Sequence, residues 1–175
     1  MASENWQAVV KRKQAEAAAK IPLEWRLPPE YTHDISEEST RNVLDVPRQC
    51  GLLSARQLEI TENYDATALL EKIHSGQMTS TEVTQAFCIR AAIAQQVVSY
   101  LHLYPSPKPS CLISFTKTRC LTETFFDSAI KRAKELDKYL RSTKSVVGPL
   151  HGLPISLKVC KQTLRFHLPF SSLLC

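Results

Sequence analysis

Only one stretch of this chain alternates as a β-strand does, and it comes near the end. In residues 153–158, Leu153, Ile155 and Leu157 interleave with Pro154, Ser156 and Lys158. The other periodic segments have the spacing of helices. A single strand leaves both its edges unpaired, so the architecture expected is several helices followed by one strand, with the chain stopping where a sheet should begin. Pro154 stands near the strand start, where a residue without an N–H is tolerated. Alternation puts Ser156 and Lys158 on one face, opposite the apolar set.

The helices are marked by their caps and stripes. Residues 5–20 are rich in alanine and are broken by Ile21-Pro22 and again by Pro28-Pro29; a solvated helix or wrapping arm is expected. Residues 36–45 predict a short helix with Glu37 and Glu38 in its first turn, ending before Pro47. Ser54 and Gln57 have capping-box spacing. Asp65 caps residues 66–75, which stop at Gly76. Thr79 and Glu82 form another capping box, opening a helix over 82–96 with Val83, Ala86, Phe87, Ile93 and Ala94 on one stripe. Residues 122–143 place Phe126, Ala129, Ile130, Ala133, Leu136 and Leu140 at helical spacing, with Lys131, Lys134 and Lys138 facing away.

Composition narrows the function. At 175 residues the chain is one domain at most. No apolar run approaches the roughly 20 residues of a membrane span, and Lys11, Arg12 and Lys13 stand where a secretory signal would be apolar. A cytoplasmic protein with reduced thiols is expected, with no membrane partner. The net charge of +5 comes from two segments, 97–119 and 159–175, which hold Lys108, Lys117, Arg119, Lys161 and Arg165 and no acid. These cations are not clustered on one element, so nucleic acid is not an expected partner. Both segments also lack alanine and glycine, and the composition changes abruptly at Val97 and Val159.

Lys158 is the candidate for chemistry. A lysine on the inward face or at the end of a buried strand must pair, reach outward or shed its proton, and desolvation lowers its pKa. A neutral lysine can act as general base toward a serine hydroxyl; the bland alternative is a surface lysine at a strand end. Ser156 shares its face and reads as a strand hydroxyl, and His151, in a turn between glycines, as structural or solvent-exposed. Cys88 reads as a small core residue, and Cys50, beside Gly51, has no base near it in sequence. Cysteine and histidine never occur at metal-ligand spacing, so no metal is expected.

The string Gly148-Pro149-Leu150-His151-Gly152-Leu153-Pro154-Ile155-Ser156-Leu157-Lys158 resembles the segment bearing the catalytic lysine in the amidase signature family, serine hydrolases of amide bonds. Upstream, residues 47–53, 68–73, 79–96, 120–126 and 133–137 are similar to the N-terminal helices of fungal, acetamidase-like amidases. The resemblance covers residues 1–96 and 120–158. It implies an α/β fold, a mixed sheet sandwiched by helices of which this chain holds the N-terminal helices and first strand, and a Ser, cis-Ser, Lys triad with Lys158 as base. It further implies a small-molecule amide substrate and no cofactor.

The chain departs from that family where its composition changes. Val159 stands where aspartate usually follows the lysine, and residues 160–175 contain no glycine, so the glycine- and serine-rich signature supplying both serines is absent. The domain expected is therefore 1–158, interrupted by a non-family insertion at 97–119 and followed by a non-family tail at 159–175. Both segments begin with valine, whose codons all start with GT, as introns do, which reads as translated intron sequence. A truncated amidase, inactive alone, is the reading reached; a non-catalytic helical interaction module or a fragment without function is the alternative. Oligomeric state is not legible.

Overall fold

The computed structural model describes residues 5–33, 42–97, 121 and 123–156. Its elements, in order, are α1 (Trp6–Ala19), a 3-10 turn (Leu23–Trp25), α2 (Pro29–Thr32), α3 (Val46–Gln49), α4 (Ala55–Glu62), α5 (Ala66–His74), α6 (Ser80–Val97) and α7 (Phe126–Thr143). The chain divides into two compact units: one takes in residues up to Leu52 together with Ala91–Thr124, the other Leu53–Arg90 and everything from Phe125.

The second unit is built on the caps legible in the sequence. The Ser54 hydroxyl accepts from the Gln57 N–H at 3.2 Å, and the Gln57 side chain accepts from the Ser54 N–H at 2.9 Å, closing the box that starts α4. Asp65 accepts from the Ala68 N–H at 2.8 Å to start α5. The stop after α5 is Gly76, whose φ of 76° lies in the left-handed region that glycine enters freely. Ile60, Leu69, Ile73, Met78, Val83, Ala86 and Leu153 form the core, with Tyr64, Leu70 and Phe87 packed against it. α7 keeps Ala133 and Leu136 buried and Lys131, Lys134 and Lys138 exposed, as its periodicity predicts.

α6 is capped from another helix. The box predicted from Thr79 and Glu82 is half made: Thr79 Oγ1 accepts from the Glu82 N–H at 3.0 Å, but the Glu82 carboxylate is taken by Arg56 Nε at 3.1 Å. Asp137, buried on α7, accepts from the Ser80 N–H at 2.7 Å, the Thr81 N–H at 3.0 Å and the Thr81 hydroxyl at 2.6 Å. Together these satisfy the first backbone donors of α6, which have no partner inside the helix.

In the first unit the Gln96 side chain ties α6 to the preceding irregular chain. Its Oε1 accepts from the Leu27 N–H, and its Nε2 donates to the Trp25 carbonyl, each at 2.9 Å. Ile21, Trp25, Leu27, Val46, Ala92, Ile93 and Val97 are buried here. α1 is almost wholly exposed, with Trp6 57 % accessible, as expected of a solvated helix.

Three sequence expectations need correction. The helix over 36–45 falls mostly outside the described residues, and its described end, 42–45, is non-helical; Pro47 lies within the first turn of α3 rather than beyond a helix end. Pro29 likewise opens α2. In both places the fixed φ of proline suits a first turn, where its missing N–H costs nothing. The α7 helix starts at Phe126, not at 122. No strand occurs among the described residues, and 153–156 runs without a pairing partner, so the sheet half of the expected α/β fold is not seen.

Replacing Asp137 by alanine leaves two backbone donors and a hydroxyl unmatched in a buried site. Urea denaturation should show Asp137→Ala losing about 3 kcal/mol, with Asp137→Asn, which keeps one acceptor oxygen, losing roughly half as much. A loss below about 1 kcal/mol for alanine would show that water replaces the cap.

Candidate functional site

The peptide leading to Lys158 leaves α7 through a left-handed residue. Lys144, with φ 54°, ends the helix and returns its N–H to the Leu140 carbonyl. The chain then turns back on itself: the His151 N–H reaches the Gly148 carbonyl at 3.1 Å and the Leu153 N–H the Leu150 carbonyl at 3.2 Å. Val147 and Leu150 point outward, 55 % and 50 % exposed, while His151, Gly152 and Leu153 are buried.

Gly152 is where this turn docks. Its φ is 81°, and a methyl group on it would overlap the Ser80 hydroxyl, stand 2.9 Å from Ser80 Cβ and 3.0 Å from Ile73 Cγ2. Only a residue without a side chain lets the backbone lie so close to the start of α6 and the flank of α5. Leu153 then enters the core, and Ile155 and Ser156 emerge at the surface. The apolar half of the predicted alternation is thus buried at Leu153 but 37 % exposed at Ile155. Lys158, the predicted base, lies outside the described residues.

His151 is buried, settling one of the two readings given to it. Its Nδ1 accepts from the Val147 N–H at 3.1 Å, and its ring meets that of His74 edge-on, centroids 6.1 Å apart. Burial, then the neighbouring His74, hold its pKa below the ordinary histidine value; Asp137 opposes this and Arg132 adds to it. Cys88 is buried on α6, as expected of a core residue. The Cys50 thiol is half-buried and faces the Pro47 carbonyl at 3.9 Å. Among the described residues, no group of three histidine, cysteine or acidic side chains is arranged to hold a metal ion, and no helix is long and apolar enough to cross a membrane.

The sequence profile described as Amidase matches residues 113–173. An amidase of Gibberella moniliformis is 40 % identical over 158 residues, covering 90 % of this chain and 26 % of the relative. The acetamidase of Emericella nidulans is 40 % identical over 155 residues, covering 89 % of this chain and 23 % of its own. This chain belongs to the amidase family. It spans about a quarter of the length of these curated relatives. A solved fatty acid amide hydrolase superposes with a TM-score of 0.64 at 28 % identity, again over 89 % of this chain and 24 % of that one. The amidase profile runs from within segment 97–119 to within segment 159–175, so it does not mark those segments off.

What the residue pattern missed in this amidase chain is the support beneath the turn. Asp137 was legible in retrospect: it stands four residues after Ala133 and three before Leu140, on the apolar stripe of α7, where a charge needs a partner. Ser80 carried no such sign.

The docking of Gly152 can be weighed against a glycine with the same backbone and open space. Gly76, φ 76°, would present a methyl group to nothing within 4 Å. Gly76→Ala should cost about 1 kcal/mol for the left-handed backbone alone, and Gly152→Ala about 3 kcal/mol because overlap is added. Paired denaturation curves measure the difference, and equal costs would show that the turn shifts freely off Ser80.

Proposed function

We propose that this chain is the N-terminal quarter of an amidase that hydrolyses the C–N bond of a small carboxamide, with Lys158 as its general base. The observation that carries the reading is the Gly148–Lys158 string, whose glycine at 152 is packed against the start of α6 in a way no other residue allows. In the Ser, cis-Ser, Lys mechanism, neutral Lys158 takes the proton of a bridging serine. That serine takes the proton of the nucleophilic serine, which attacks the amide carbonyl; as the C–N bond breaks to leave the acyl-enzyme, the relay returns the proton to the departing nitrogen, which leaves as ammonia or amine. Backbone donors stabilise the oxyanion, and water releases the acid. These steps need no cofactor. Both serines belong to the glycine- and serine-rich signature that follows the lysine in the family; this sequence has no glycine after Gly152. The chain alone therefore supplies the base without the nucleophile, and it should be inactive. Val147 and Leu150, exposed in the turn, are surfaces that a complete amidase has further chain to cover.

Purified chain should release no ammonia from acetamide. A chimaera in which residues 1–158, without 97–119, replace the matching quarter of a complete amidase should hydrolyse it, and Lys158→Ala should lower its kcat about a thousandfold. Full turnover in the alanine variant of an active chimaera would overturn the assignment of the base.

We further propose that segments 97–119 and 159–175 are translated intron sequence lying within the amidase coding sequence. The abrupt loss of alanine, glycine and acidic residues at Val97 and Val159 supports this. Sequencing of mature transcripts should show residue 96 joined to residue 120 and an open frame with glycine-serine clusters after Lys158. Messages that retain both segments would refute it.

A further inference from the structure

The turn that joins α7 to the core is closed by an imidazole. Because the Val147 N–H donates to His151 Nδ1, that nitrogen is the acceptor and the neutral ring carries its proton on Nε2. A second proton must go onto Nδ1, and the bond from Val147 is then lost, since both ring nitrogens have become donors. His151 is 4 % exposed. The groups that face it come from two helices: His74 on α5, and Arg132 and Asp137 on α7. His74 and Arg132 disfavour a cation there and Asp137 favours one, but both carboxylate oxygens of Asp137 are already engaged by the start of α6.

We infer that His151 is a positioning residue for the peptide that leads to Lys158: neutral, it closes the turn over residues 147–151 and lies against His74 of α5, and protonated, it opens that turn. The inference rests on the reading of Lys158 as the base and adds a proton-dependent hold on the peptide leading to it. The sign comes from burial. The folded ring has the lower pKa, so the unfolded chain binds more protons as pH falls. The stabilisation is full above the ordinary histidine value of about 6.5 and is lost as pH falls through that value toward the lower folded one.

Hydrogen exchange of the whole chain between about pH 5 and about pH 8, corrected for intrinsic exchange, tests this. On acidification, peptides covering 145–156 should lose protection roughly fivefold, the worth of one hydrogen bond, while those of α4 keep theirs. His151→Gln, whose amide oxygen can accept from Val147 and does not titrate, should hold its protection flat across the range. His151→Leu, with no acceptor, should be weakly protected at every pH; if it does not fold, the glutamine variant against the natural chain decides. The same acid-induced loss in His151→Gln, or a flat profile in the natural chain, would overturn the inference. Turnover enters none of these measurements, so the chimaera assay can fail on Lys158 while the lock stands, and the lock can fail while Lys158 remains the base.

Discussion

A buried carboxylate at the start of a helix holds the second unit together. Asp137 is 7 % exposed, and taking a charge out of water is expensive unless hydrogen bonds replace the lost solvation. Here the replacement comes from the Ser80 and Thr81 amides and the Thr81 hydroxyl, at the helix end where the peptide dipoles favour an anion. The geometry works only with α7 at one height and rotation against α6. That register sets where α7 ends and so where the turn at Lys144 begins; the His151 hydrogen bond, Gly152 and Leu153 then hold the turn in place.

The surface charges do less. Arg56 reaches both Glu59 at 2.9 Å and Glu82 at 3.1 Å, but all three side chains are substantially exposed, and such pairs contribute at most about 1 kcal/mol. Arg90 is better placed, donating to the Thr61 hydroxyl and the Glu62 carboxylate from a partly buried position. Neither sets the path of the chain out of α7; the Asp137 cap and the core residue Leu153 do.

Legibility in the sequence tracks how local each interaction is. The Ser54 box, the Asp65 cap and the Gly76 stop each involve residues within a few positions of one another, and each is readable. Pro47 misleads because the same fixed φ both ends one helix and begins another; the residues on the C-terminal side of the proline decide between the two. The Glu82 return bond is displaced by Arg56, and Asp137 serves a helix that begins 57 positions earlier; no short window of sequence contains both. The strand at 153–158 can be read as a pattern, but a ladder needs a second strand, and the described residues offer none. The glycine string is legible as a family resemblance, and the family is confirmed by relatives at 40 % identity. The burial of His151 is not, because it depends on α5 and α7 meeting over the turn.

The fit of Gly152 onto Ser80 makes two positions far apart in sequence share one volume. Serine is small enough to sit beneath a bare backbone, and a bare backbone is what a buried serine there demands. Enlarging either side chain overfills a volume that the other already occupies, so a change at position 80 or 152 is tolerated only if the other position or the turn itself is rebuilt.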